Sequence, residues 1–166
     1  MITARFYLTL ASTLGCGLIA GVFFAFSSFV MPALARLPPA QGIAAMQSIN
    51  VVVLNRSFLT VYLGTAGICL VLAIASLFTW SEPGAKLRLL AGASYLLGTV
   101  LVTGAGNIPL NNELMGVSPE SADAAALWLG YVTEWTRWNS VRALAALLAA
   151  ALLTRALVRA ARHLGA

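Results

Sequence analysis

A chain of 166 residues that is 60% hydrophobic and only 9% charged cannot hide its apolar surface in one small core, because a soluble domain carries about 25% charged residues. The mean hydropathy of +0.90 places it in a bilayer, and the length suits one domain of several short-looped helices. The net charge of +5 is scattered around the apolar runs with no basic face, which excludes a nucleic-acid binder.

Met1 to Arg5 is a short basic head, and Phe6 to Leu34 follows without a charge. Ala33-Leu34-Ala35 mimics a signal cleavage site. A signal peptide's apolar region is only about 7–15 residues, however, whereas a membrane helix needs about 20, so the run reads as a retained span. Gly17, Gly21 and Ala25 recur four apart, the small-residue stripe that lets helices approach closely. Pro38-Pro39 stops that helix.

Gln41 to Leu54 reads as an amphipathic helix, too short and too polar to span, with Ile43, Met46, Asn50 and Val53 on one stripe. Asn55-Arg56-Ser57 fits a turn in which Ser57 can cap the next helix. Phe58 to Trp80 is the second span, Ser81-Glu82-Pro83-Gly84 a tight turn, and Leu87 to Gly106 the third span. Val117 to Ala122 is a polar loop, after which one helix runs to about His163. The expected fold is therefore all-α: a four-helix transmembrane bundle, residues 1–166 as a single domain. Its spans are about 6–34, 58–80, 87–106 and 138–160, with an additional amphipathic helix at 41–54 in the first outer loop.

Arg5, Lys86, Arg88, Arg155, Arg159 and Arg162 fall on one side of these spans, and Arg36, Arg56, Arg137 and Arg142 on the other. The positive-inside rule puts both termini in the cytoplasm. The Ala, Leu and Arg bias points to a bacterial inner membrane.

Two polar clusters interrupt the apolar pattern. Asn107-Ile-Pro-Leu-Asn-Asn-Glu113 puts three amides and a carboxylate at the mouth of the third span. Side-chain amides are costly in hydrocarbon, so such a cluster ends a span, lines a protein interior, or does both. Trp128, Tyr131, Trp135, Trp138 and Arg142 recur three and four apart on one helical stripe, with Asn139 beside them. An arginine inside a span marks a function or a specific partner; for Arg142 an ion pair with Glu113 or Glu134 stands beside a site role. The clusters lie at the same end of adjacent spans, level with Arg36 and Arg56. Together they predict a pocket roofed by the amphipathic helix and lined by Trp135, Trp138, Asn107, Asn111, Asn112, Asn139 and Arg142. A mostly apolar cleft with a few convergent polar groups is the usual form of a small-molecule site. Asn50, on the apolar side of the roof helix, reads as a core amide or a ligand contact.

There is no Gly-rich phosphate loop, nucleophile elbow or histidine pair at metal spacing. Cys16 and Cys69 sit inside apolar runs as small hydrophobes, and a lone His163 argues against haem or a histidine-rich metal site. An enzyme built from this chain works with amides, arginines, tryptophans and a carboxylate.

Gly21-Val-Phe-Phe-Ala-Phe-Ser27 with Val30-Met-Pro-Ala-Leu34, Met46-Gln-x-Ile-Asn50, Asn107-Ile-Pro-Leu-Asn-Asn112 and Trp135-x-x-Trp138-Asn-x-x-Arg142 together resemble the anthrone oxygenase-like family of small four-span membrane proteins. The resemblance covers nearly the whole chain. It implies oxidation of an anthrone to an anthraquinone by dioxygen with no metal, flavin or other cofactor. Such chemistry needs a base, donors for an enolate oxygen and a dry aromatic pocket. On this reading Glu113 or Glu134 is the base, Arg142, Asn112 and Asn139 are donors, and Trp135 and Trp138 stack on the rings. Asn50, Arg56, Asn107 and Asn111 complete the substrate contacts. Where the resemblance leads one to expect a histidine and a threonine in the last motif, this chain has Ser140 and Ala143, and a serine cannot replace a base of that strength. The alternative function is a non-catalytic membrane protein that binds a lipid or quinone-like ligand or scaffolds a partner. The expected partners are the bilayer and a hydrophobic aromatic small molecule.

Overall fold

The computed structural model describes residues 2–164, with side chains from Ala4 to Arg162; Met1, Gly165, Ala166 and the side chain of His163 lie outside the described set. Helix α1 runs as Ile2–Ala25, widens into a π turn at Phe26–Val30 and closes with Met31–Leu34. Helix α2 is Pro39–Val52, α3 is Arg56–Phe78 and α5 is Ala124–Leu164. Helix α4 starts as Ala85–Tyr95, passes through π-helical Leu96–Leu101 and Thr103–Asn107, and ends as Ile108–Met115. Four stretches, Ala4–Leu34, Arg56–Phe78, Ala85–Met115 and Ala124–Arg162, are long and apolar enough to cross a membrane. The third of these does not end at Gly106: the helix carries Asn107 to Glu113 within it.

Prolines explain the wide turns. In a regular helix Pro32 and Pro109 would clash with the carbonyl four residues earlier. A π turn immediately precedes each, ending at Val30 and at Asn107, and its extra residue opens the backbone. Widening also frees carbonyls for other donors, which here are side chains. Asn139 Nδ2 donates to the Phe23 carbonyl at 2.6 Å. Thr103 Oγ1 and the Tyr62 hydroxyl donate to the Thr99 carbonyl at 2.7 and 3.4 Å.

The spans form a ring in which α1 packs on α5 and α3, and α4 packs on α3 and α5. Apolar burial between helices gains little in lipid, so close approach and buried hydrogen bonds hold such a ring together. A Cβ at Gly15 would collide with the Thr65 side chain, and one at Gly98 with Ala145. The Gly17 and Gly21 stripe does not serve this purpose: nothing lies within 4 Å of a Cβ at either position, because the face of α1 that meets its neighbours passes through Gly15, Cys16 and Ile19. The free thiols of Cys16 and Cys69 meet inside the ring at 3.9 Å, packed with Phe23, Tyr62, Leu72 and Tyr95.

A second core joins α2 to the far end of the bundle. Ile43 and Met46 bury against Leu114, Trp128, Tyr131 and Trp135. Gln47 Nε2 donates to the Leu114 and Val117 carbonyls, both at 2.9 Å, clipping α2 to the open end of α4. Asn55, rather than Ser57, caps α3: its Oδ1 accepts from Phe58 N at 3.0 Å while its Nδ2 closes α2 on the Val52 carbonyl at 2.9 Å. At the opposite end, beside the termini, Arg5 and Arg88 share Glu82, and Gly84 turns into α4 at φ 82°.

Candidate binding and active site

The inner face of α5 is Trp128, Tyr131, Trp135, Asn139 and Arg142, all buried. Three- and four-residue steps both continue a helical stripe, so Trp138 and Asn139 compete for the inward position, and Asn139 takes it. Trp138 turns away and lies over Gly106, where a Cβ would come within 2.7 Å of its ring.

Arg142 is 5% exposed and held on all sides without a counter-charge. Its NH2 donates to Asn139 Oδ1 at 2.7 Å and its NH1 to Thr103 Oγ1 at 3.2 Å. The guanidinium carbon lies 4.1 Å from the centre of the Phe23 ring and 5.3 Å from that of Trp135. Its Nε is buried with no partner. Ion pairs with Glu113 and Glu134 are not formed; among the described residues the only pairs are those of Arg5 and Arg88 with Glu82. Both Glu113 and Glu134 are exposed, because each sits on the outer face of its helix. Burying a charge without its opposite is expensive in a low-dielectric interior, and cation–π contacts with two rings offset only part of that.

The supports of Arg142 extend into α1. Asn139 donates to the Phe23 carbonyl and to Ser27 Oγ, at 2.6 and 2.7 Å, leaving its oxygen for the guanidinium. Ser140 does not reach inward; its hydroxyl bonds Ser27 Oγ at 2.9 Å and the Thr136 carbonyl at 2.8 Å. On α4, Asn111 Oδ1 accepts from the Tyr131 hydroxyl at 2.9 Å and from Trp135 Nε1 at 2.7 Å. Its NH2 group is what remains to offer. Asn107 is fully buried and donates to the Trp135 carbonyl at 3.1 Å.

Between these groups and α2 lies a cavity of about 490 Å³, within the size range of small-molecule sites. Phe23, Phe26, Met46, Ile49, Phe58 and Trp135 make it mostly apolar, and Asn50, Tyr62, Thr103, Asn111, Asn112 and Arg142 are its polar points. Among the described residues no Asp, Glu, Lys or His lines it. Asn50 Nδ2 and Arg142 Nε are buried without partners, and both are donors. The site is thus short of acceptors, which a ligand oxygen would supply.

Of the side chains expected to form the site, Asn50, Asn111, Asn112, Trp135 and Arg142 are on the wall. Asn107 and Asn139 stand behind it as supports. Arg56, Trp138, Glu113 and Glu134 are exposed and off it: Arg56 begins α3 at the bundle end, and the other three occupy outward faces. Tyr62 and Thr103 were not among the expected residues, yet the Tyr62 hydroxyl donates to Thr103 Oγ1 at 2.9 Å and both line the cavity. Two patterns in the sequence carry them. Tyr62, Thr65, Cys69, Leu72 and Ser76 trace the buried face of α3, and Thr99, Thr103, Asn107 and Asn111 recur four apart on α4. Among the described residues no three His, Cys, Asp or Glu side chains cluster as metal ligands would.

Residues 58–152 match the family model described as anthrone oxygenase. No curated protein and no solved structure matches the chain.

Proposed function

Since the chain belongs to the anthrone oxygenase family, we propose that it oxidises a flat, lipid-soluble phenolic or carbon acid with dioxygen, without a cofactor, in the cavity beside Arg142. The observation that carries this reading is a buried arginine with no carboxylate partner in the wall of a mostly apolar, aromatic-lined cavity. Such a cation favours the ionised form of an acidic ligand. An enolate oxygen would complete the ion pair and also take the free donors of Asn50 and Arg142, with Asn111 and Asn112 nearby. Donors fixed in advance of charge development are the usual source of such stabilisation.

In this scheme the acid loses a proton and its carbon becomes electron-rich. The carbon's electron pair then forms a C–O bond to dioxygen, giving a peroxide. Loss of the second proton from the same carbon breaks the O–O bond, leaving a ketone on the ring and releasing hydroxide, which becomes water. Trp135 and Phe26 would flank the ring. With no base on the wall, the ligand enters already ionised, its proton left to the aqueous phase, and the second proton goes to the departing hydroxide; Glu113, Glu134, Arg56 and Trp138 take no direct part, and Asn107 and Asn139 act through the groups they position. The termini face the cytoplasm and the cavity end faces outward, as the distribution of basic residues argues.

Purified protein in lipid should consume oxygen with anthrone and yield the quinone, and Arg142→Ala and Asn112→Ala should each lower the rate at least about 100-fold and 10-fold, on the scale of a lost charge-stabilising donor. Unchanged rates in both variants would move the reaction elsewhere. One observation favours a second reading, a binder that does not turn its ligand over. Ser140, which stands where the resemblance leads one to expect a histidine, bonds to Ser27 and not to the cavity. Binding of anthrone that needs Arg142, with no oxygen uptake, would establish that alternative.

A further inference from the structure

The wall of the cavity changes character along its depth. Phe23, Tyr62, Trp135 and Arg142 are buried at its floor, whereas Leu54, Leu63, Ile108 and Met115 on the same wall are 67%, 55%, 46% and 46% exposed. Those four come from the link after α2, the second turn of α3 and the last turns of α4. Helix α3 packs on α4 along Ala85–Tyr95 and lightly along Leu96–Leu101, but beyond Thr103 the two helices have parted. There α4 leans on α5 and α2 instead. The break coincides with the π turns at Leu96–Leu101 and Thr103–Asn107. Leu63 and Ile108 both lie inside stretches apolar enough to cross the membrane, and a gap rimmed there by exposed aliphatic side chains suits lipid tails better than water.

We propose that the cavity opens sideways into the bilayer between α3 and α4, and that it therefore admits ring acids bearing a hydrocarbon chain: the acid sits at Arg142 and the chain lies in the gap among the lipid tails. This rests on the anion-binding reading of Arg142 given above. A closed cavity, or one with an aqueous mouth, would exclude such a chain or force it into water. A lipid-facing gap leaves it in hydrocarbon throughout, so the chain neither gains nor loses on binding.

The test uses the full chain in lipid nanodiscs under nitrogen, titrated with anthrone and with an anthrone carrying an octyl chain on an outer ring. Binding is read from the absorbance of the bound enolate and referred to mole fraction in the lipid. The two ligands should bind within about threefold of each other, since a chain that stays in hydrocarbon contributes almost nothing to transfer. The double variant Leu63→Trp, Ile108→Trp, which fills the gap, should weaken the octyl ligand by at least about tenfold more than it weakens anthrone. Leu129→Trp, equally lipid-exposed but off the cavity, should change neither. Rejection of the octyl ligand by the unaltered protein, or equal treatment of both ligands by the double variant, would overturn the proposal. Admitting oxygen afterwards separates the two readings: ligands that bind as predicted but consume no oxygen uphold the lateral opening and remove the oxidation.

Discussion

Arg142 is the residue on which the site turns, and its environment defines what it can do. A guanidinium placed between two aromatic rings, bonded to Asn139 and Thr103 and lacking a carboxylate, keeps its charge available to whatever enters. An acid next to such a group ionises more readily, by about one to three pKa units for a close arginine partner. The sign is direct. Stabilising the anion lowers the pH at which the bound acid ionises, so Arg142→Gln should shift the rising limb of the pH–rate profile to higher pH by about one to three units, whereas loss of a purely structural arginine would lower the rate without moving the limb. At this scale much was legible: an arginine inside an apolar run, with Trp135 on the same helical stripe, stands out in the sequence. What was not legible is which of Trp138 and Asn139 points inward. Three- and four-residue steps fit a helix nearly equally, and the choice was made by the Phe23 carbonyl that the π turn in α1 leaves open.

Helix α4 shows why a face cannot be read by periodicity alone. A four-residue step drifts by about 40° in a helix of 3.6 residues per turn, so three steps would carry Asn111 about 120° away from Thr99. The wide turns at Leu96–Leu101 and Thr103–Asn107 contain more residues per turn and reduce that drift, so that Thr99, Thr103, Asn107 and Asn111 all make hydrogen bonds to other helices inside the bundle. Pro109 marks the irregularity in the sequence, but a proline signals only that a helix must yield, not how. The roof helix was more transparent, because Ile43, Met46 and Asn50 follow an unbroken helical stripe. Beside the burial of Ile43 and Met46, it is held down by Gln47, which bonds the Leu114 and Val117 carbonyls at the end of α4. Gln47→Leu removes both bonds and should destabilise the roof by about 1–3 kcal/mol, the net worth of two hydrogen bonds at about 0.5–1.5 kcal/mol each. Hydrogen exchange should then accelerate in Ile43–Asn50 while α3 and α5 stay protected.

On the scale of the whole molecule, the ring of four helices is tight at the end holding the termini and open at the other. Arg5, Arg88 and Glu82 tie the first end together, and α2 bridges the second. The orientation inferred from the basic residues is open to direct measurement. With Cys16 and Cys69 buried, Ser118→Cys should react with a membrane-impermeant maleimide added to intact cells, and Ser81→Cys only after permeabilisation. The reverse pattern would invert the topology and put the cavity on the cytoplasmic side.

Composition and apolar run length by themselves determined that this is a four-span helical protein, because hydrocarbon permits a spanning backbone little choice but to satisfy its hydrogen bonds within each segment. The cost of polar groups in lipid likewise required each polar cluster to end a span or line the interior; Asn107, Asn139 and Arg142 are buried, whereas Asn112, Glu113 and Trp138 are exposed. Only the tertiary structure decided that Glu113 and Glu134 stay off the cavity, that Tyr62 and Thr103 join it, and that α3 and α4 part beside it. Those outcomes depend on how the helix register is adjusted around Pro32 and Pro109, and that adjustment is settled by the neighbouring side chains that satisfy the opened backbone.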